Sequence, residues 1–180
     1  MKDIEGIEEA IGVLKPHWAD IEADFNRHNE RFLSLAAADH DEIGRILRVH
    51  LVIEHFLGSF LASHYGIEDV PDLRLTFIQK AKLLPGHASS ASFVRPGILQ
   101  LNSVRNKFGH RLNHKIEDHE ISAIYQALAV ARKGVAFKSH LAAIEAFAPI
   151  ACAFLSVPPK HLQELFLKAF SKVTGHDPTY

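Results

Sequence analysis

Residues 101–114 read LNSVRNKFGHRLNH, and three side chains in this stretch are of the types needed to cut a phosphodiester: Arg105, Asn106 and His110. Histidine titrates near neutral pH, so His110 suits proton transfer to and from a ribose 2′-hydroxyl. Arginine stays charged and grips phosphate in a two-pronged hydrogen bond. Arg105 therefore suits the charge that builds on a crowded phosphate. Asn106 suits orienting either the imidazole or a phosphate oxygen. Lys107, Arg111, His114 and Lys115 surround the three as candidate RNA contacts, the strongest local basic cluster in the chain. The same cations also suit a plainer role, because positive side chains stabilise a helix C-terminus through its dipole.

Spacing alone does not single these residues out. Arginine followed by histidine after four to six intervening residues occurs three times, at Arg45–His50, Arg48–His55 and Arg105–His110. The first two lie within a long apolar helical stretch, and the five-residue step of Arg45–His50 turns its two side chains about 140° apart. Arg105–His110 instead spans Phe108-Gly109, where glycine predicts a helix end. A bend there would bring guanidinium and imidazole back together where a substrate can reach them.

The elements that must position these groups are helical. Few segments alternate as strands do, and helical spacing recurs throughout. Helices are predicted over 3–14, about 17–37, about 40–64, 75–84, 96–108, 118–134, 138–156 and 159–172. Lys15-Pro16 breaks the first from the second. Asp39 is a candidate N-cap with Glu42 at the capping-box position, and Gly66 ends the long helix that follows. Residues 87–93 read as a polar loop, Pro96 as a first-turn proline, and GHDPTY as a frayed tail. The fold class is all-α, a bundle of about six to eight helices. It divides into an N-terminal extension (1–37), a core (38–135) and C-terminal helices (136–180) that pack on the core or on a partner. Leu162, Leu165, Phe166, Ala169, Phe170 and Val173 form one apolar face of the last helix.

Composition narrows the function classes. At 47% hydrophobic residues the chain can build a core, which argues against disorder. The net charge of −1 gives no global basic field, so nucleic acid must be held by a local patch. The single cysteine, Cys152, lies in an apolar run and reads as a buried small hydrophobe. The longest charge-free apolar run, 146–159, falls short of the ~18 residues of a membrane span and is interrupted by Pro149. A reducing cytoplasmic setting without a membrane partner is expected. A metal site built from His110, His114 and His119 with Glu117 and Asp118 is a weak rival. Gly109 and Asn113 break the helical continuity that His110 and His114 would need, so no metal or cofactor is expected. His50, Glu54 and His55 lie on the apolar helix, with their hydrogen bonds expected to be met locally.

LNSVRNKFGH, preceded by LTFIQKAKLLPG and by RVHLVIEHFLGSFL, resembles the HEPN superfamily over about residues 40–135. These are small helical bundles of prokaryotic toxins, phage-defence proteins and RNA-processing nucleases. Their motif is an arginine, usually a polar residue next, then a histidine, and Arg105, Asn106 and His110 match it. The resemblance implies a metal-independent endoribonuclease that dimerises so that motifs from two chains line one cleft. RNA, a second copy of the chain, and an antitoxin or other regulatory protein are the implied partners. Other members of the superfamily, including the mannitol operon repressor-like group, are non-catalytic binding modules, and this chain is expected to be one or the other.

Overall fold

The computed structural model describes residues 7–28, 41–68, 70, 73–110 and 114–178. Among them it forms eight α-helices and no β-strand. The chain divides into Met1–Asp39 and His40–Tyr180.

In the first unit, α1 (Ile7–Leu14) leads through a single 3-10 turn, Lys15–His17, into α2 (Trp18–His28). Pro16 sits near the start of that turn, where its missing N–H removes no helical hydrogen bond. The break expected at Lys15-Pro16 is therefore one tight turn. Ile11, Leu14, Trp18, Ile21 and Phe25 recur at three- and four-residue steps and are each between 42% and 51% exposed. The residues expected to complete the second helix, including Phe32 and Leu35, and the Asp39 cap lie outside the described residues.

The second unit is built around α3 (Asp41–Tyr65), α5 (Ser90–His110) and α7 (His140–Leu155), with α4 (Phe77–Lys82), α6 (Ser122–Ala131) and α8 (Gln163–Phe170) packed about them. Ile46, Val49, Ile53, Leu57 and Leu61 step along one face of α3 at helical spacing and are all buried. Each such side chain contributes about 1.5–3 kcal/mol by leaving water. Arg45 ties α3 to α7 through a fork of two bonds to Glu145, at 2.9 and 2.6 Å. This pair raises the Arg45 pKa above its ordinary value and lowers that of Glu145. By length and composition α3 alone among the described helices could cross a membrane, yet it lies in the bundle with its apolar stripe against α5 and α7.

Helix α4 starts at a capping box: the Thr76 hydroxyl accepts from the Gln79 N–H, and the Gln79 side chain accepts from the Thr76 N–H. Helix α7 is capped by Ser139, whose hydroxyl accepts from the Ala142 N–H at 3.1 Å. It carries Phe147 at the centre of the core. The 136–180 segment thus supplies part of the core itself, because Leu141, Ile144, Phe147 and Leu155 fill the space facing α3, α5 and α6.

Helix α5 departs most from expectation. It begins at Ser90, six residues before Pro96, and the expected polar loop supplies its first turn. Proline in a helix interior leaves the carbonyl four residues back without its usual donor, here that of Ser92. Gly175 of the C-terminal segment lies so close that a Cβ there would land on the Ser92 carbonyl oxygen. Gly97 serves a similar purpose on another side, since a Cβ would sit 2.6 Å from the Phe147 ring.

The C-terminal segment is accordingly docked rather than frayed. Ala88 N–H donates to the Val173 carbonyl at 2.9 Å, and Gly175 N–H donates to the Gly86 carbonyl at 2.8 Å. Asp177 forms a two-pronged ion pair with Arg95.

Candidate functional site

The last three turns of α5 carry Arg105, Asn106 and His110, and all three side chains are exposed. The helix runs unbroken to His110, so the bend expected at Phe108-Gly109 is not there. The physical reason is Phe108, which is only 4% exposed and meets the His114 ring edge-on at 5.3 Å. Packing that anchors the last turn outweighs the ~1 kcal/mol a helical glycine costs.

An unbroken helix sets Arg105 and His110 about 140° apart around its axis. His110 lines a groove with Asn102, Ser103, Asn106 and Lys107 of α5, Ile78 and Lys82 of α4, and Asp177 and Pro178 of the C-terminal segment. Arg105 is not among the groove's lining residues. Its Nη1 donates to Asn106 Oδ1 at 3.3 Å, so Asn106 stands between the arginine and the groove. One chain by itself does not gather the guanidinium and the imidazole into one cleft.

The flanking basic residues also divide. Glu120, in the 3-10 turn Asp118–Ile121 before α6, is buried at the foot of α5. Its carboxylate accepts from Lys107 Nζ, from His114 Nε2 at 3.0 Å and from the Glu117 N–H at 2.9 Å. Burial pushes the Glu120 carboxyl up, but Lys107, the Glu117 N–H and His114 together hold it below its ordinary value. Lys107 and His114, expected to contact RNA, are therefore occupied by an internal carboxylate. Lys115 is exposed. Arg111 lies outside the described residues.

The histidines behind the groove also differ from expectation. Glu54 pairs with Lys80 at 2.8 Å, linking α3 to α4. His50 is buried and stacks on Phe77 with ring centroids 3.8 Å apart, and neither ring nitrogen has a hydrogen-bond partner among the described residues. Burial lowers its pKa, and the Arg105 charge lowers it further against the opposing pull of Glu54 and Asn102.

His119 pairs with Glu117 at 3.2 Å and His140 with Asp118 at 2.9 Å. These groups stand as separate pairs, and no set of three or more metal-ligating side chains converges among the described residues. Cys152 is buried, and burial raises its thiol pKa, so it stays protonated at neutral pH.

Sequence reasoning missed Glu120 and Asn102. Asn102 was detectable, since it stands four residues before Asn106 and shares its helix face. Glu120 was not, because its partners come from residues whose approach depends on how the chain turns after α5. Fold and site together define a helical bundle with a polar groove along one helix and an exposed Arg-Asn-His set at that helix's end. Comparison with protein-family models, with curated proteins and with solved structures finds no match.

Proposed function

We propose that the chain is a metal-independent endoribonuclease of the HEPN type, acting as a pair of chains in a toxin or phage-defence setting in the cytoplasm. The observation that carries this reading is selective exposure. Lys107, His114 and Glu120 consume one another, whereas Arg105, Asn106 and His110 face solvent and hydrogen-bond, among the described residues, only within their own set. On this reading the divergence of Arg105 and His110 along the unbroken helix calls for a centre shared by two chains. Arg105 of one protomer steadies the phosphate while the partner's His110 takes the proton from the ribose 2′-hydroxyl. The 2′-oxygen then attacks the neighbouring phosphorus, the P–O5′ bond breaks, and the departing 5′-oxygen takes the proton that the imidazole holds. The ends are a 2′,3′-cyclic phosphate and a 5′-hydroxyl, and no step requires a metal or a cofactor.

The experiment is incubation of RNA with the full chain in chelator. Cleavage that survives chelation and disappears in His110→Ala supports the enzyme. Mixing Arg105→Ala with His110→Ala tests the composite centre, because mixed dimers regain one intact site.

A second reading has its own support in the divergence of Arg105 and His110. On that reading the chain is a non-catalytic HEPN-type module, similar to the mannitol operon repressor-like group, that recognises a protein or nucleic-acid partner. RNA left intact by the wild-type chain, together with retention of a specific partner, selects it.

A further inference from the structure

The groove along α5 has no role in proton transfer or phosphate stabilisation beyond the residues at its end, yet its lining has a definite chemistry. It encloses about 740 Å³, within the range of about 300–1,000 Å³ usual for ligand sites. Its apolar lining is the half-buried Ile78 and the half-buried Pro178. They give an apolar surface for a flat ring. Asn102 and Asn106 sit one above the other on successive turns. A carboxamide offers both a donor and an acceptor, which is the pattern needed at a base edge. Asn106 Oδ1 already accepts from Arg105, so its NH₂ is the group left to donate. Ser103 also lines the groove and adds a hydroxyl.

The charges are distributed to suit one phosphate rather than a long backbone. Lys82 is exposed at the α4 side, and His110 closes the other end. Lys107 lines the wall but is held by Glu120. Asp177 would repel a phosphate if it were unpaired, but Arg95 neutralises it. From Leu99 to His110 the helix rises about 16 Å, which suits one or two nucleotides and no more.

We propose that this groove is a nucleotide subsite for single-stranded RNA: a base lies against Ile78 and Pro178, its edge meets Asn102 and Asn106, and its phosphate points to Lys82. The proposal rests on the functional reading above for its substrate, and it makes Lys82 and Asn102 specificity residues. A strand is favoured over a free nucleotide because the groove ends at His110, so a chain crossing the cutting centre continues directly into it.

The test measures fluorescence anisotropy of labelled eight-nucleotide homopolymer RNAs in chelator, using the full chain with His110→Ala so that the probe stays intact. Lys82→Glu, at an exposed site, is expected to weaken binding about tenfold. Asn102→Ala is expected to level the preference among the four homopolymers, with its fold checked by circular dichroism. Unchanged affinity in Lys82→Glu together with unchanged preference in Asn102→Ala overturns the subsite. So does displacement of the strand by a nucleoside monophosphate at equal concentration, or a groove that takes no RNA. Cleavage assays in the His110-intact background separate this proposal from the one before it. If wild type cuts RNA and Lys82→Glu cuts it at the same rate and sites, the enzyme stands and the subsite falls. If Lys82→Glu and Asn102→Ala both alter binding while wild type never cuts, the subsite stands and the enzyme falls.

Discussion

Two polar clusters meet at the end of α5, and they have opposite fates. Lys107, His114 and Glu120 turn inward and satisfy one another, joining the helix to the turn that precedes α6. Arg105, Asn106 and His110 come from the same short stretch and face solvent. Residue type does not explain the split, since each cluster has one permanent cation and one histidine. The difference is the buried carboxylate of Glu120. A buried acid demands compensation, and the nearest cations supply it. Cations with no such acid beside them remain available to a ligand.

Exchanging the properties of the two clusters breaks this comparison. The largest effect expected is on cleavage. His110→Ala should lower the rate by about 10²–10⁴-fold while moving stability by no more than about 0.5 kcal/mol, measured by gel assay and thermal melt. Glu120→Ala should do the reverse at first order. It strands Lys107 and His114 and should cost about 1–3 kcal/mol in denaturant unfolding. It should also strengthen RNA binding, because Lys107 is then released toward the groove.

The core that holds both clusters is sensitive at Gly97. Gly97→Ala places a methyl group within 2.6 Å of the Phe147 ring. It should cost about 1–3 kcal/mol through overpacking, with no specific effect on RNA affinity once folded.

Acid acts on two buried groups, His50 behind the groove and Glu120 of the inward cluster. His50 has its folded pKa depressed by burial, so the unfolded chain binds its proton first. Stability is therefore full above the unfolded value of about 6.5 and falls as the pH drops below it. Glu120 also has a depressed folded pKa, so its contribution is lost at lower pH, beginning near the unfolded value of about 4.3. Unfolding midpoints measured across pH should thus fall in two stages. His50→Leu should remove the upper stage and leave the lower. The smallest effects belong to the flanking lysines. Lys115→Ala should weaken RNA binding a few-fold, whereas Lys107→Met should change it by less than about twofold, because its charge is already neutralised.

Much of this architecture was legible in local chemistry. The apolar face of α3, the stop at Gly66 and the helix starting near Thr76 follow from periodicity and end signals spanning a few residues. The Arg-Asn-His set was picked out by residue type, by the helix end expected beside it and by the resemblance it carries. Its geometry was not, because Gly109 carries a stop signal that the burial of Phe108 overrides. The start of α5 was misplaced for a related reason. Pro96 reads as a first-turn residue until Gly175, far along the chain, is found against the carbonyl that the proline leaves without its donor.

The amino-acid sequence by itself determined that this protein is helical, where most helices lie, and which side chains have the acid–base and phosphate-binding properties its proposed chemistry needs. Only the tertiary structure decided which of those side chains are available. Helical periodicity is a property of neighbours in the chain. The pairing of Lys107 and His114 with Glu120, the docking of Gly175 on Ser92 and the stacking of His50 on Phe77 are properties of neighbours in space. For the first of these the reason is burial, because the Glu120 carboxylate, removed from water, takes the partners the fold brings to it.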